Sequence, residues 1–306
     1  MYALRLVALS VVVVGHAAAA AAAEAPEEWT KTYSVSGHPE VRVHTDNGSV
    51  QIITSDTQQV EFRVKTTGSA WGFGFGDRPH VESKQDGNVV ELDAHQGASY
   101  VIGFSNRHTA IEVRMPKSAD LQLRTGDGSI DIDSLEGNVR ATTSDGRVNI
   151  AQVHGKIEVS SSDGAIVARA LKGDVKLTTS NGSIRATELD GGCSASSSDG
   201  SVTVEGRFDS LNVHSSDGSV STRIAAGSSM TSSWDVSTSD GSVEVALPQD
   251  FKASLDASTA DGHITLNLPV QVQGEVSKSH VHGTLNGGGP SFRIHSSDGS
   301  VRLSSL

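Results

Sequence analysis

"TSDGRVNIAQVHGKIEVS" at residues 143–160 and "SSDGAIVARALKGDVKLT" at residues 161–178 lie end to end and keep the same phase. Their shared opening, [ST]-x-[DN]-G-x-[VI], begins at Thr45, Thr125, Thr143, Ser161, Thr179, Ser197, Ser215, Thr238, Thr259 and Ser296. From Thr125 to Ser215 every step is 18 residues. A fixed internal period of this size marks stacked supersecondary units.

The columns of that period show what each unit is. Just after the turn they read Ile130, Val148, Ile166, Ile184, Val202, Val220 and then Ile132, Ile150, Ala168, Ala186, Val204. Half a unit later they read Val139, Ile157, Val175, Cys193, Leu211 and then Ala141, Val159, Leu177, Ala195, Val213. Within each run the apolar positions alternate with polar ones, the period of a strand with one buried face. Each unit is therefore two short strands and two corners, one at Asp-Gly or Asn-Gly and one near Gly137, Gly155, Gly173 and Gly191. Asx-Gly pairs suit a corner because both residue types accept positive φ at low cost. The Ser or Thr two places before the Asx falls in phase with the inward residues, where its hydroxyl can satisfy a corner amide or carbonyl.

An antiparallel meander would share the local alternation, with Asp-Gly as a two-residue hairpin turn. It has no reason to hold an 18-residue phase, whereas stacking of like on like requires one. The reading is an all-β, single-stranded parallel β-helix-like solenoid of 18-residue coils. The composition agrees. Aromatic residues are only 4% of the chain, so the core must be narrow and built from small and β-branched side chains.

Residues 1–23 read as a secretory signal peptide, with Arg5, an apolar run from Leu6 to Val14 too short to span a bilayer, and an Ala tract ending at Ala23. Residues 24–124 read as looser, irregular coils interrupted by a Gly/aromatic loop at 68–79, and residues 125–306 as the regular solenoid. The mature chain is expected to be exported, to the periplasm, the cell surface or beyond, with no integral membrane segment. Cys193 is the only cysteine, so no disulfide framework supports the fold. A net charge of −12 opposes nucleic acid and anionic lipid.

"VRMPKSADLQLRTGDG" at 113–128 and "GTLNGGGPSFRIHSSDGSV" at 283–301, together with the turns, resemble an exported bacterial β-strand-repeat family of unknown function whose members are labelled "putative adhesins". The resemblance spans about residues 29–306 and implies a solenoid-like β fold at the cell envelope. It brings no catalytic residues.

Several constellations invite a chemical reading. The corner acids Asp127, Asp145, Asp163, Asp199 and Asp217 should stack along one edge, where Ca²⁺ would relieve their repulsion. One carboxylate per coil supplies few ligands, and plain Asx-Gly corners are the favoured reading, with no cofactor. His280 and His282 share a strand face and could chelate Zn²⁺ if a third ligand joined them. The outward row Arg140, Glu158, Lys176 reads as a solvated charge ladder, and no pair of facing carboxylates suits glycosidase chemistry. The half-turn row Thr142, Ser160, Thr178, Ser196 is a polar strip able to meet sugar hydroxyls. Trp71, Phe73 and Phe75, alternating with glycines, are either a flap on the rod or a partner-binding loop. Cys193 falls in an inward column as a buried thiol.

These features favour a non-enzymatic envelope module that binds a surface polymer, a glycan or a surface protein. The alternatives are a polysaccharide lyase or hydrolase on the same scaffold, and an envelope-stress component with a protein partner. The terminal "DGSVRLSSL" shows no cap, which predicts an open coil edge and homo-oligomer pairing there.

Overall fold

The computed structural model describes residues 27–68, 70–73, 79–96, 102–105, 108–268, 270–272 and 277–306, and their regular structure is entirely β. Residues 1–23, expected to be a signal peptide, lie outside the described residues. Two parallel ladders run along the molecule. In one, Val139 pairs with Ile157, Ile157 with Val175, Val175 with Cys193 and Cys193 with Leu211. In the other, Ile130, Val148, Ile166, Ile184, Val202 and Val220 follow one another in register. The fold is the 18-residue β-solenoid that the period predicts.

Every apolar inward residue named above is at most 4% exposed, so the alternation buries one face of each ladder against the other. A further inward row, Leu135, Val153, Leu171 and Leu189, fills the second corner, and Phe208 is buried in the coil that follows. That corner turns on Ser134, Gln152, Ala170 and Glu188, whose φ values of 60°, 54°, 54° and 57° are left-handed and recur once per coil.

At the Asx-Gly corner the structure corrects the expected role of glycine. Gly146, Gly164, Gly182 and Gly200 do not have positive φ. They are required by the stacking itself. A Cβ on Gly164 would lie 1.9 Å from the carbonyl oxygen of Gly146, and one on Gly146 would lie 1.9 Å from that of Gly128. Each glycine thus seats its Cα against the carbonyl of the coil before, the close C–H···O approach that only a missing side chain allows. The hydroxyls beside them behave as expected. Thr143 Oγ1 accepts from Gly146 N at 3.2 Å and donates to Gly128 O at 3.1 Å, joining two coils through one side chain. Thr179, Ser197 and Ser215 repeat the arrangement.

The coil order departs from the chain order at both ends. The coil of Glu40–Thr45 and Gly48–Ser55 lies between that of Asp120–Thr125 and that of Val89–Gln96 and His108–Pro116. The chain therefore steps over a whole coil between Pro116 and Asp120. The other end mirrors this: Ser291–Ser296 and Val301–Ser305 lie between the coil containing Trp234–Thr238 and the coil containing Ala253–Thr259. The link through Pro248 steps over them, and the return through "NGGGP" brings the last residues inside. The final coil is therefore an interior one, which corrects the expected open edge at the C-terminus. Its place is filled by bulky rings, with Trp234 at 6.0 Å from Phe292 and 5.4 Å from Phe251 between ring centroids. Antiparallel strands close the stack instead: Glu27–Ser34 on Gln59–Thr67, Pro79–Asp86 on Val89–Gln96, and His280–Leu285 on Ala253–Thr259.

Candidate functional site

Register turns every outward position into a row of side chains about 4.8 Å apart. Along the corner row, Asp145 stands between Asp127 and Asp163. Its carboxyl is raised above the ordinary range by desolvation, then by a hydrogen bond with Asp163 and by the charges of its neighbours. Amides bracket these acids. The Asn47 side chain donates to Asp127 Oδ2 at 2.8 Å, and Asn181 Nδ2 donates to Asp163. Asp199 and Asp217 continue the row in the next two coils, both exposed. Among the described residues no group of three or more His, Cys, Asp or Glu is placed to hold a metal ion.

His280 and His282 are exposed on one strand, and His280 Nε2 is 3.9 Å from Asp256 Oδ1. The register adds what the sequence hid. His280 pairs with Ser258, Ser258 with His295, His295 with Ser237 and Ser237 with His214, so histidine and serine alternate along one row. Hydrogen bonds link His295 Nδ1 to Ser258 Oγ at 3.0 Å and His214 Nδ1 to Ser237 Oγ at 3.1 Å. Only the permuted coil order brings these positions together.

In the polar strip, Ser160 Oγ donates to Thr142 Oγ1 at 3.2 Å and the strip is half-buried. Beside it, Glu158 sits between Arg140 at 3.4 Å and Lys176 at 3.5 Å, the charge ladder expected. Two shallow cavities flank this point and share Lys156 and Glu158 in their walls, one of about 410 Å³ reaching Asp120 and one of about 330 Å³ reaching Asn212. Cys193 is buried at the floor of the second, and burial pushes its thiol up to about 12. Next to it the ladder shifts register at Gly191 and Gly192, a bulge fixed by Arg207. The Arg207 guanidinium reaches Asp209 with both terminal nitrogens, at 2.7 and 3.2 Å, and Asp190 through Nε. Those bonds raise the Arg207 pKa and hold the Asp209 carboxyl below the ordinary range.

Ala70–Phe73 pairs antiparallel with Ile102–Ser105 in a sheet of its own, Trp71 opposite Phe104 and Phe73 opposite Ile102. Phe75 lies outside the described residues. The partner strand belongs to a second Gly/aromatic stretch, "GASYVIGFS" at 97–105, whose likeness to the first was the available clue.

The stacked two-strand coils and Asx-Gly corners match a known sequence pattern over residues 38–304. The chain belongs to the Toastrack DUF4097 family. No curated protein matches it. Among solved structures, a "putative adhesin" from Bacteroides fragilis is similar at 11% identity and a TM-score of 0.37, covering 92% of this chain and 97% of its own. A "putative cell adhesion protein" from Clostridium sporogenes is similar at 12% identity and a TM-score of 0.27, covering 92% and 100%. A "putative lipid binding protein" from Parabacteroides distasonis is similar at 13% identity and a TM-score of 0.35, covering 91% and 96%. The Toastrack fold of this chain contains no helix, among the described residues, long and apolar enough to cross a membrane.

Proposed function

We propose that the chain is an exported, non-enzymatic binding module of the cell envelope, which displays rows of polar side chains to a surface polymer. The observation that carries this reading is the 18-residue spacing from Val139 to Leu211, which sets an outward position on an outward position coil after coil. A repeating surface meets a repeating ligand many times, so weak individual contacts add to useful avidity. The outward rows offer hydroxyls, amides and charges, the groups that meet a polar polymer. The names of the similar structures, adhesion and lipid binding, lie in the same class of surface contact. The Trp71 and Phe73 ribbon, a sheet separate from the solenoid ladders, is our candidate for a second contact with the surface or with a protein.

The test is cosedimentation of the mature chain with isolated envelope fractions, peptidoglycan and purified polysaccharides, with and without residues 68–79. Retention on one fraction supports the reading, and loss of retention with the deletion locates the contact in the ribbon. Failure to sediment with any of them overturns it.

A further inference from the structure

We infer that the groove passing Lys156 and Glu158 is a binding cleft for one extended, carboxylate-bearing polysaccharide strand running along the solenoid axis. This rests on the surface-binding reading above and names its ligand class. The two cavities of about 410 and 330 Å³ are successive spans of one depression, because both are walled by Lys156 and Glu158. Their walls are outward residues two apart on the same strands, such as Lys156 and Glu158 or Asp174 and Lys176. Two residues of strand span roughly 7 Å, room for a single polymer chain and too little for a duplex or a helix. The floor is strand backbone whose amides and carbonyls are already paired with the coils on either side, so it offers nothing to an incoming β-strand. Recognition must come from side chains, which suits a polymer rich in hydroxyls rather than a peptide.

The charge pattern selects among such polymers. Arg140 and Lys176 share the single carboxylate of Glu158, and Lys156, exposed between their coils, has no ion pair among the described residues. Asp174 stacks on Lys156 in register without reaching ion-pair distance. The centre of the groove thus carries three cations and two carboxylates, while Glu40 and Asp120, which line its far end, are engaged by Arg42 and His38. An unsatisfied ammonium beside two partly satisfied cations is a seat for an anion fixed on a neutral backbone. Farther along, Ser194, Ser210 and Asn212 supply neutral hydrogen-bonding groups. A Cβ at Gly192 would sit 2.9 Å from both Asp174 Oδ1 and Ser210 Oγ, so a larger residue there would crowd both groups.

The experiment is calorimetric titration of the mature chain with an oligogalacturonate of eight to ten sugars and with a neutral glucan oligomer of equal length, alongside envelope cosedimentation. The oligogalacturonate is expected to bind at least tenfold more tightly than the glucan. Lys156→Gln combined with Lys176→Gln should reduce its affinity at least tenfold, while Asp217→Asn at the corner row leaves it unchanged. Equal binding of both oligomers, no binding of either, or indifference to the lysine pair overturns the cleft. If the chain still sediments with an envelope fraction in those cases, only the cleft fails, whereas loss of sedimentation as well removes the broader reading. Far-ultraviolet circular dichroism of the variants keeps a folding defect separate from a lost contact.

Discussion

Replacing Gly164 by alanine separates the two reasons a corner can need glycine. A Cβ there would stand 1.9 Å from Gly146 O and 2.8 Å from Ser161 Oγ. A relaxed carbon to oxygen contact is about 3.3 Å, so the coils must part by about 1.4 Å at this corner. The bonds that hold them run from Asp163 N to Ser144 O at 2.8 Å, from Ser162 N to Ser144 O at 3.0 Å and from Ser161 Oγ to Ser144 O at 3.2 Å. A displacement of that size carries all three beyond hydrogen-bonding range. At about 1 kcal/mol each, Gly164→Ala should cost about 3 kcal/mol. The matched control is Gly87→Ala, where φ is +57° and nothing lies within 4 Å of a Cβ. Only the left-handed conformation opposes that change, at about 1–2 kcal/mol before the stiffer unfolded chain offsets part of it. Urea unfolding followed by far-ultraviolet circular dichroism gives both numbers. A Gly164→Ala cost no larger than that of Gly87→Ala would refute the stacking explanation.

Ser161→Ala should destabilise the chain by about 1–3 kcal/mol, because Gly164 N, now bonded to Ser161 Oγ at 2.9 Å, would be left buried and unpaired, whereas Ser161→Thr should be nearly neutral in the same unfolding assay. Asp145 binds its proton more tightly folded than unfolded, so its contribution favours the fold in acid and is lost as pH rises through its raised pKa. Asp145→Asn should therefore raise the thermal midpoint at pH 7, with the gain vanishing below the ordinary carboxyl value of 3.8. Truncation after Leu285 removes an interior coil, so limited proteolysis should cut 225–285 readily while the coils from Thr125 to Ser215 stay protected.

The sequence carried the repeating half of this fold openly and the ends poorly. Between Thr125 and Ser215 each inward column holds apolar residues at a constant phase, and stacking leaves no other arrangement that buries them all. Coil order at the ends depends on which ladder edge each strand joins, and Val41, Val90 and Leu121 would satisfy any neighbour equally in a one-dimensional pattern. The links through Pro116 and Pro248 carried the trace of it, as two similar strand–Pro–strand segments, but a link that advances one coil and one that skips a coil have the same local sequence. The glycine role was misread because positive φ and close approach both select glycine, and only coordinates distinguish them. Individual outward residues were visible, such as Arg140, Glu158 and Lys176. The cleft was not, since it emerges only when neighbouring rows are stacked in register.

Row-by-row display makes one demand that no isolated pocket would make, namely that affinity depend on ligand length. The decisive measurement is binding of the mature chain to size-graded fragments of whichever envelope polysaccharide retains it, read by calorimetry at fixed sugar concentration. Affinity per sugar should climb steeply as fragments grow to span more coils and level off once they exceed the groove between Asp120 and Asn212. Affinity that is already complete with one or two sugars would contradict the account.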